Sequence, residues 1–345
     1  MKVAIISDLH FGVKKSDEIF QKSQMKFYLE QLIPDLKSKK INTLLVLGDI
    51  FETRQTLNVQ TENIVLDLFK NHFKDFDIHM IPGNHDLYYK NTLNVNSLKA
   101  FNLLPNVTVY EEVTRKTFDG VEVTFLPWLT DYSLLNDITE KTKYAFAHLD
   151  VNGCYLDKYN ISSTGVELTD LFNLFEHVYT GHFHKRSVKT FKGSSVTYVG
   201  SPYQLTRINM HEEQGYHILD LETNDLEFIE NTKSMKFFEL TYPDKPDNLK
   251  EFVQGNVIDV LIPYELSDDT LNINKYISEL NECDAAYPIN ISIGSKPDTK
   301  IEIPKDLSLN LENLFMVYTE KIEKDNKKEI YTELITLYNN FKGAK

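Results

Sequence analysis

Seven side chains able to bind a divalent cation lie in five short segments, each directly after an apolar run. The segments are Asp8-Leu9-His10, Gly48-Asp49, Gly83-Asn84-His85-Asp86, His148 and Gly181-His182-Phe183-His184. Taken singly, each is bland. Gly-Asp is a common turn, and Asp-x-His can simply close a strand. Five in series, each past a strand-like run, point to one site, because the carboxyl ends of a sheet's strands open into one crevice. Asp8, His10, Asp49, Asn84, His148, His182 and His184 make a mixed oxygen and nitrogen donor set. Seven donors exceed the four of a tetrahedral zinc. They suit two ions that share a bridging carboxylate, about 3.5–4 Å apart. The set contains no thiolate, which favours a hard ion such as Mn²⁺, with Mg²⁺, Fe²⁺ or Zn²⁺ as alternatives.

The donor set carries a reaction with it. A hydroxide bridging two cations is a nucleophile at neutral pH, and its natural electrophile is a phosphorus atom whose oxygens bind the metals. His85 is not needed as a ligand and is free to protonate the leaving oxygen as a general acid. Asp86 is placed to orient that imidazole. Asp8 and His10, two apart on an extended segment, are expected to share a face, as are His182 and His184.

Positioning these residues requires buried strands. The preceding runs are Val3–Ser7, Leu44–Leu47, Ile78–Ile81, Tyr144–Ala147 and His177–Thr180, mostly β-branched, Leu or aromatic, as in strands covered on both faces. Residues 17–37 and 57–75 are helical in pattern, with Pro34 marking a kink or an earlier end of the first. Further strands are expected at Val107–Tyr110, Val121–Leu126, Val196–Val199 and Tyr216–Leu221. The fold class is therefore α/β, a two-sheet sandwich flanked by helices. Residues 1–235 form this core. Residues 236–300 form a small α/β unit with strands at Phe237–Leu240, Val257–Pro263 and Pro288–Ile293 and helices near 247–253 and 268–282. Residues 305–345 form a helical segment in which Ile330, Leu334, Leu337, Tyr338 and Phe341 make one apolar stripe. That stripe packs either on its own domain or on a partner.

Composition narrows the class. A 345-residue chain, 41% hydrophobic and 26% charged, is that of a soluble protein of two or three domains. No apolar run approaches the roughly 20 residues of a membrane helix. Asp8 and His10 interrupt the first apolar run, so it reads as a strand and not a signal peptide. Two distant cysteines, Cys154 and Cys283, argue against a disulfide framework and for the cytoplasm. A net charge of −14 argues against broad nucleic-acid binding by the chain alone. Bound cations, or phosphate contacts from a partner subunit, would offset it.

These motifs resemble the calcineurin-like metallophosphoesterases over about residues 1–235. The resemblance implies Asp8, His10, Asp49 and His184 around one ion and Asp49, Asn84, His148 and His182 around the other. Asp49 is then the bridge and His85 the catalytic histidine. Three segments are most similar to the nuclease subunits of SbcCD-type DNA repair complexes, including phage recombination endonuclease subunits. They are Ile6-Ser7-Asp8-Leu9-His10-Phe11-Gly12, Gly48-Asp49-Ile50-Phe51-Glu52, and Gly181–His184 followed by Tyr198-Val199-Gly200-Ser201-Pro202. That resemblance implies a Mn²⁺-dependent exonuclease on double-stranded DNA ends and an endonuclease on single strands or hairpins. It also implies a capping domain, a homodimer, and C-terminal helices docked on an SMC-like coiled-coil ATPase in DNA repair and recombination. One departure is Glu52, where several relatives carry a histidine. Two rivals stay open: a small-molecule phosphodiesterase or phosphatase with the same site, and a non-catalytic DNA-end scaffold. Lys14-Lys15, Arg54, Lys90 and Lys185-Arg186 lie beside the metal motifs as candidate phosphate contacts or as ordinary solvated charge.

Overall fold

The computed structural model describes residues 1–156, 160–295, 315–316, 318–319 and 327–343. The apolar runs are strands buried on both faces. Strands β1 (Lys2–Ile6), β2 (Thr43–Val46), β3 (Asp77–Met80) and β4 (Val107–Val109) lie side by side in parallel. Strands β5 (Thr114–Phe118), β6 (Val121–Leu126), β7 (Thr142–His148), β8 (Phe175–Gly181), β9 (Ser187–Phe191) and β10 (Ser194–Tyr198) build a second sheet in the order β5-β6-β7-β8-β10-β9. Strands β11 (Gly215–Asp220) and β12 (Leu226–Glu230) return to the first sheet, giving β12-β11-β1-β2-β3-β4.

Side-chain alternation explains the layering. Val3 and Ile5 of β1 face the second sheet and pack with Leu45, Phe125, Phe146 and Tyr179 in a cluster between the sheets. Ala4 and Ile6 face the other way, among Phe20, Phe27, Tyr28, Leu68 and Phe69 of the flanking helices. Ala145, Ala147 and Val178 cover the outer face of the second sheet with Leu171 and Phe175. Burial of each large apolar side chain stabilises by roughly 1.5–3 kcal/mol. Those layers hold the carboxyl ends of β1, β2, β3, β7 and β8 at fixed spacing.

The helix read over 17–37 spans Glu18–Ser38, with one wide turn at Tyr28–Leu32 just before Pro34. The Ile33 N–H reaches back to the Tyr28 carbonyl across that turn, so the proline bends the ladder without ending it. The helix read over 57–75 spans Val59–His72 with a similar wide turn at Leu68–His72. Strands β5, β9 and β12 were not anticipated. Each is a sheet edge carrying exposed residues such as Arg115, Lys116, Thr190 and Glu227, so their apolar signal is weak.

After residue 236 the chain forms β13 (Phe237–Thr241), β14 (Val257–Ile262) and β15 (Asn290–Ile293), with helices Leu249–Val253 and Thr270–Asn281. Leu240, Val253, Ile258, Val260, Tyr276 and Leu280 give this sheet its own apolar cluster. By its contacts the chain divides into two units: Met1–Ile262 with Asp268–Ser292, and Pro263–Ser267 with Ile293–Lys345. In the second unit Lys327–Gly343 is helical. Of the expected stripe, Ile330, Leu334 and Tyr338 are half-buried and Leu337 is 62% exposed. The side chain of Phe341 lies outside the described residues.

Candidate metal centre

All seven expected donors gather at the carboxyl ends of the strands. Asp8 and His10 follow β1, Asp49 follows β2, Asn84 follows β3, His148 ends β7, and His182 and His184 follow β8. The loops are zipped together by backbone bonds. The Asp8 N–H donates to the Gly48 carbonyl (3.1 Å) and the His10 N–H to the Asp49 carbonyl (3.0 Å). Glycines make this closeness possible. A Cβ on Gly83 would lie 2.2 Å from Asp49 Oδ1, and one on Gly48, whose φ is +86°, would lie 2.6 Å from His148 Nδ1. Four donors hold left-handed backbone angles: Asp8 (φ 56°), His10 (44°), Asp49 (52°) and His182 (94°). Such angles cost a non-glycine residue of order 1–3 kcal/mol and persist where the surroundings over-determine them, typically at working sites.

Three groups of donor atoms converge within 4.8 Å: Asp8–His10–His184 and Asp49–His148–His182, which are drawn from the expected donors, and His10–Glu52–His85 beside them. Asp49 Oδ2 stands between the first two, 3.7 Å from His10 Nε2 and 3.4 Å from His148 Nε2. Asp8 Oδ1 lies 3.9 Å from His10 Nε2 and 4.0 Å from His184 Nε2. Asn84 Oδ1 joins the second group, 3.1 Å from His148 Nε2 and 2.8 Å from His182 Nδ1. His10 Nε2 and His184 Nε2 face each other at 3.0 Å. Two imidazole nitrogens at that distance, ringed by carboxylates, form a set that fits a cation. Of the two pairs expected to share a face, Asp8 and His10 join one group and His182 and His184 do not. The left-handed turns at Asp8, His10 and His182 break the extended geometry, and His182 and His184 go to different groups.

The outer contacts fix these side chains. His148 Nδ1 donates to the Leu47 carbonyl at 2.6 Å, which leaves Nε2 as the ligand atom. Glu52 Oε2 lies 2.7 Å from His10 Nδ1 and does the same for His10. His85 does not pair with Asp86. Its Nδ1 donates to the Glu52 carbonyl at 2.6 Å, and its backbone N–H donates to Asp49 Oδ1 at 2.8 Å. Asp86 instead accepts from the backbone N–H groups of Asp49 (2.8 Å), Ile50 (3.1 Å) and Gly83 (2.9 Å). The expected Asp86–imidazole contact is thus replaced by a buried carboxylate that ties the β2 loop to the β3 loop. A three-residue helical turn at Asn84–Asp86 sends its carboxyl group toward those amides.

Electrostatics follow from burial and from Asp49. Burial opposes a charged His148, but the Asp49 carboxylate outweighs it and raises His148 to about 9. Asp49 is also desolvated, yet His148 and His10 hold it far below the usual carboxylate range. Burial and the neighbouring His148 lower His182 to about 3, while burial and His10 lower His184 to about 4. Burial and Asp49 push Asp86 up to about 7 against its N–H donors. At neutral pH, His182 and His184 are therefore free to ligate, whereas His148 must first lose a proton. Metal binding below about pH 9 should release that proton, so apparent affinity should rise about tenfold per pH unit from 7 to 9 and then level. Calorimetry at pH 7.5 in buffers of different ionisation enthalpy checks this. Release of about one proton or more is expected, and none would contradict it.

Some residues were not anticipated. The role of Glu52 is one: its side chain and carbonyl together hold His10 and His85. Trp128 follows β6 in Pro127-Trp128, with its ring centroid 4.9 Å from that of His182 and 6.0 Å from that of His148. The available signal was an apolar run, Val121–Leu126, ending at the chain's single tryptophan. Of the basic candidates, Lys14 sits over the rings of Phe20, Phe237 and Tyr287, and Arg186 pairs with Glu213 (3.1 Å) over Phe228. Lys15 and Lys90 are exposed and Arg54 and Lys185 half-buried.

A family model for calcineurin-like phosphoesterases matches residues 1–186. Exonuclease subunit 1 of Enterobacteria phage T4 is 29% identical over 329 residues, spanning 93% of this chain and 92% of that one. The SbcD component of nuclease SbcCD from Staphylococcus epidermidis is 24% identical over 298 residues, 76% of this chain and 74% of that one. DNA double-strand break repair protein Mre11 of Methanopyrus kandleri is 24% identical over 241 residues, 63% and 52% of the two chains.

Proposed function

This chain belongs to the calcineurin-like phosphoesterase family, and from that premise we propose that it is a two-ion DNA phosphodiesterase. Asp8, His10, Asp49 and His184 would hold one cation, and Asp49, Asn84, His148 and His182 the other. Mn²⁺ is the favoured ion for this thiolate-free donor set, with Mg²⁺ an alternative. When bound, such cations supply a nucleophile from water at neutral pH and neutralise charge on the phosphoryl oxygens. The chain's own residues do the rest. Glu52 and Leu47 fix the ring orientations of His10 and His148. Asp86 anchors the loops that carry Asp49 and Asn84. His85, its Nδ1 occupied by the Glu52 carbonyl, passes a proton from Nε2 to the oxygen that leaves as the P–O bond breaks.

One observation carries this reading. The two oxygens of Asp49 divide between the donor groups and the His85 backbone: Oδ2 faces both groups and Oδ1 accepts the His85 N–H. That arrangement keeps the acid beside the bridge. DNA as substrate is supported by the relatives named as nuclease subunits, one of them matched over 92% of its length. We further propose exonuclease action on duplex ends, endonuclease action on single strands or hairpins, and homodimer formation. The sheet after residue 236 then acts as a cap, and the C-terminal helix Lys327–Gly343 as the dock for an SMC-like ATPase. The test is an assay on labelled duplex and hairpin DNA with and without Mn²⁺, alongside bis-p-nitrophenyl phosphate. Mn²⁺-dependent cleavage of DNA is expected. Hydrolysis of the small ester with intact DNA would overturn the nuclease reading for the isolated chain.

A further inference from the structure

Trp128 is out of place as a core residue. A tryptophan brings a large apolar surface to bury. Yet this one is only half-buried and belongs to none of the four apolar clusters formed by the described residues. Its neighbours do belong: Phe125 packs between the sheets, and Leu126 and Leu129 pack on the outer face of the second sheet. The ring contacts of Trp128 are with His182 and His148, two donors of one group. Its backbone N–H donates to the Pro82 carbonyl at 2.9 Å, two residues before Asn84. The indole is thus held at the rim of the donor cluster, on the side where His182 is itself half-buried, with part of its surface in solvent.

We propose that Trp128 is a nucleobase-binding subsite, stacking on the base of a nucleotide that borders the scissile phosphate. This deepens the DNA phosphodiesterase reading and rests on it. A phosphate held by the two donor groups carries a base one sugar away, and an indole beside the second group offers that base a flat apolar partner. Stacking of this kind is tolerant of sequence, because every base has a π-face. Of the basic residues beside the metal motifs, Lys14 and Arg186 are engaged elsewhere. Trp128 then positions the substrate and takes no part in proton transfer.

The test couples the side chain to the base. Mn²⁺-dependent cleavage is measured on duplex DNA, unmodified or with one abasic residue at each of the first two nucleotides of a strand in turn. Wild type, Trp128→Ala and Trp128→Phe proteins are compared, with Mn²⁺ binding followed by calorimetry. For wild type, the abasic residue at one of these positions should raise KM about tenfold with kcat little changed. Trp128→Ala should show that loss already on unmodified DNA and no further loss on the abasic strand, while Trp128→Phe should recover most of it. Equal abasic effects in wild type and Trp128→Ala would overturn the subsite. So would a Trp128→Ala protein whose only defect is weakened Mn²⁺ binding, which would make the indole a support for His182. Failure of wild type to cut unmodified DNA at all would instead sink the nuclease reading, and the subsite with it.

Discussion

Replacing Asp49 by alanine is expected to remove phosphodiester hydrolysis by at least about three orders of magnitude, since each ion contributes several kcal/mol of charge stabilisation. The size of the effect follows from position. Among the described residues, Asp49 Oδ2 is the one carboxylate atom within 3.7 Å of ligand nitrogens in both donor groups. The Asp8 carboxylate, by contrast, lies near the ring nitrogens of His10 and His184 in one group and meets the other group through the backbone N–H of His182. Loss of Asp49 should therefore weaken both ions, whereas Asp8→Ala should weaken one. His148 gives a second readout. Its elevated value depends first on overcoming burial and then on Asp49. In the metal-free Asp49→Ala protein its titration, followed by NMR, should fall well below about 9. A variant that still binds two ions and cleaves at a tenth of the wild-type rate would contradict a bridging role.

The second large effect is expected at His85. His85→Ala should lower kcat on DNA by roughly 10²–10⁴-fold, the usual reach of general acid catalysis. Mn²⁺ binding should be largely retained, because His85 belongs to neither the Asp8–His10–His184 nor the Asp49–His148–His182 group and meets His10 only in the third, with Glu52. A leaving-group comparison separates an acid from a structural prop. A deoxyribose oxygen leaves badly without a proton, whereas p-nitrophenolate leaves readily. The loss on bis-p-nitrophenyl phosphate should thus be far smaller than on DNA. Equal losses on both would mean that His85 acts through the loop that its N–H and Nδ1 tie to Asp49 and Glu52.

Much of this site is legible in the linear chain because its strands are buried on both faces. Val3–Ile6, Leu44–Val46 and Tyr144–Ala147 carry no polar alternation, so their ends stand out wherever an Asp, Asn or His follows. The strands β5, β9 and β12 escape for the converse reason: as edges they carry charges and exposed residues. Side-chain direction is also hidden. Asp8, His10 and His182 take left-handed backbone angles that spacing along an extended chain does not reveal, and these decide which donor joins which group. The partner of a buried carboxylate is equally local. Asp86 follows His85 in sequence, yet its nearest donors are the amides of Asp49, Ile50 and Gly83. Glu52 and Trp128 enter because β2 and β6 end in the same crevice, a property of the sheet order and not of either segment.

The central claim is a pair of cations bridged by Asp49, and the most direct measurement is the number and coupling of bound Mn²⁺ ions. Equilibrium dialysis with metal analysis should give two Mn²⁺ per chain, and low-temperature electron paramagnetic resonance should show an exchange-coupled pair that disappears in Asp49→Ala. One ion per chain at saturation, or two ions with the spectra of isolated Mn²⁺, would contradict it.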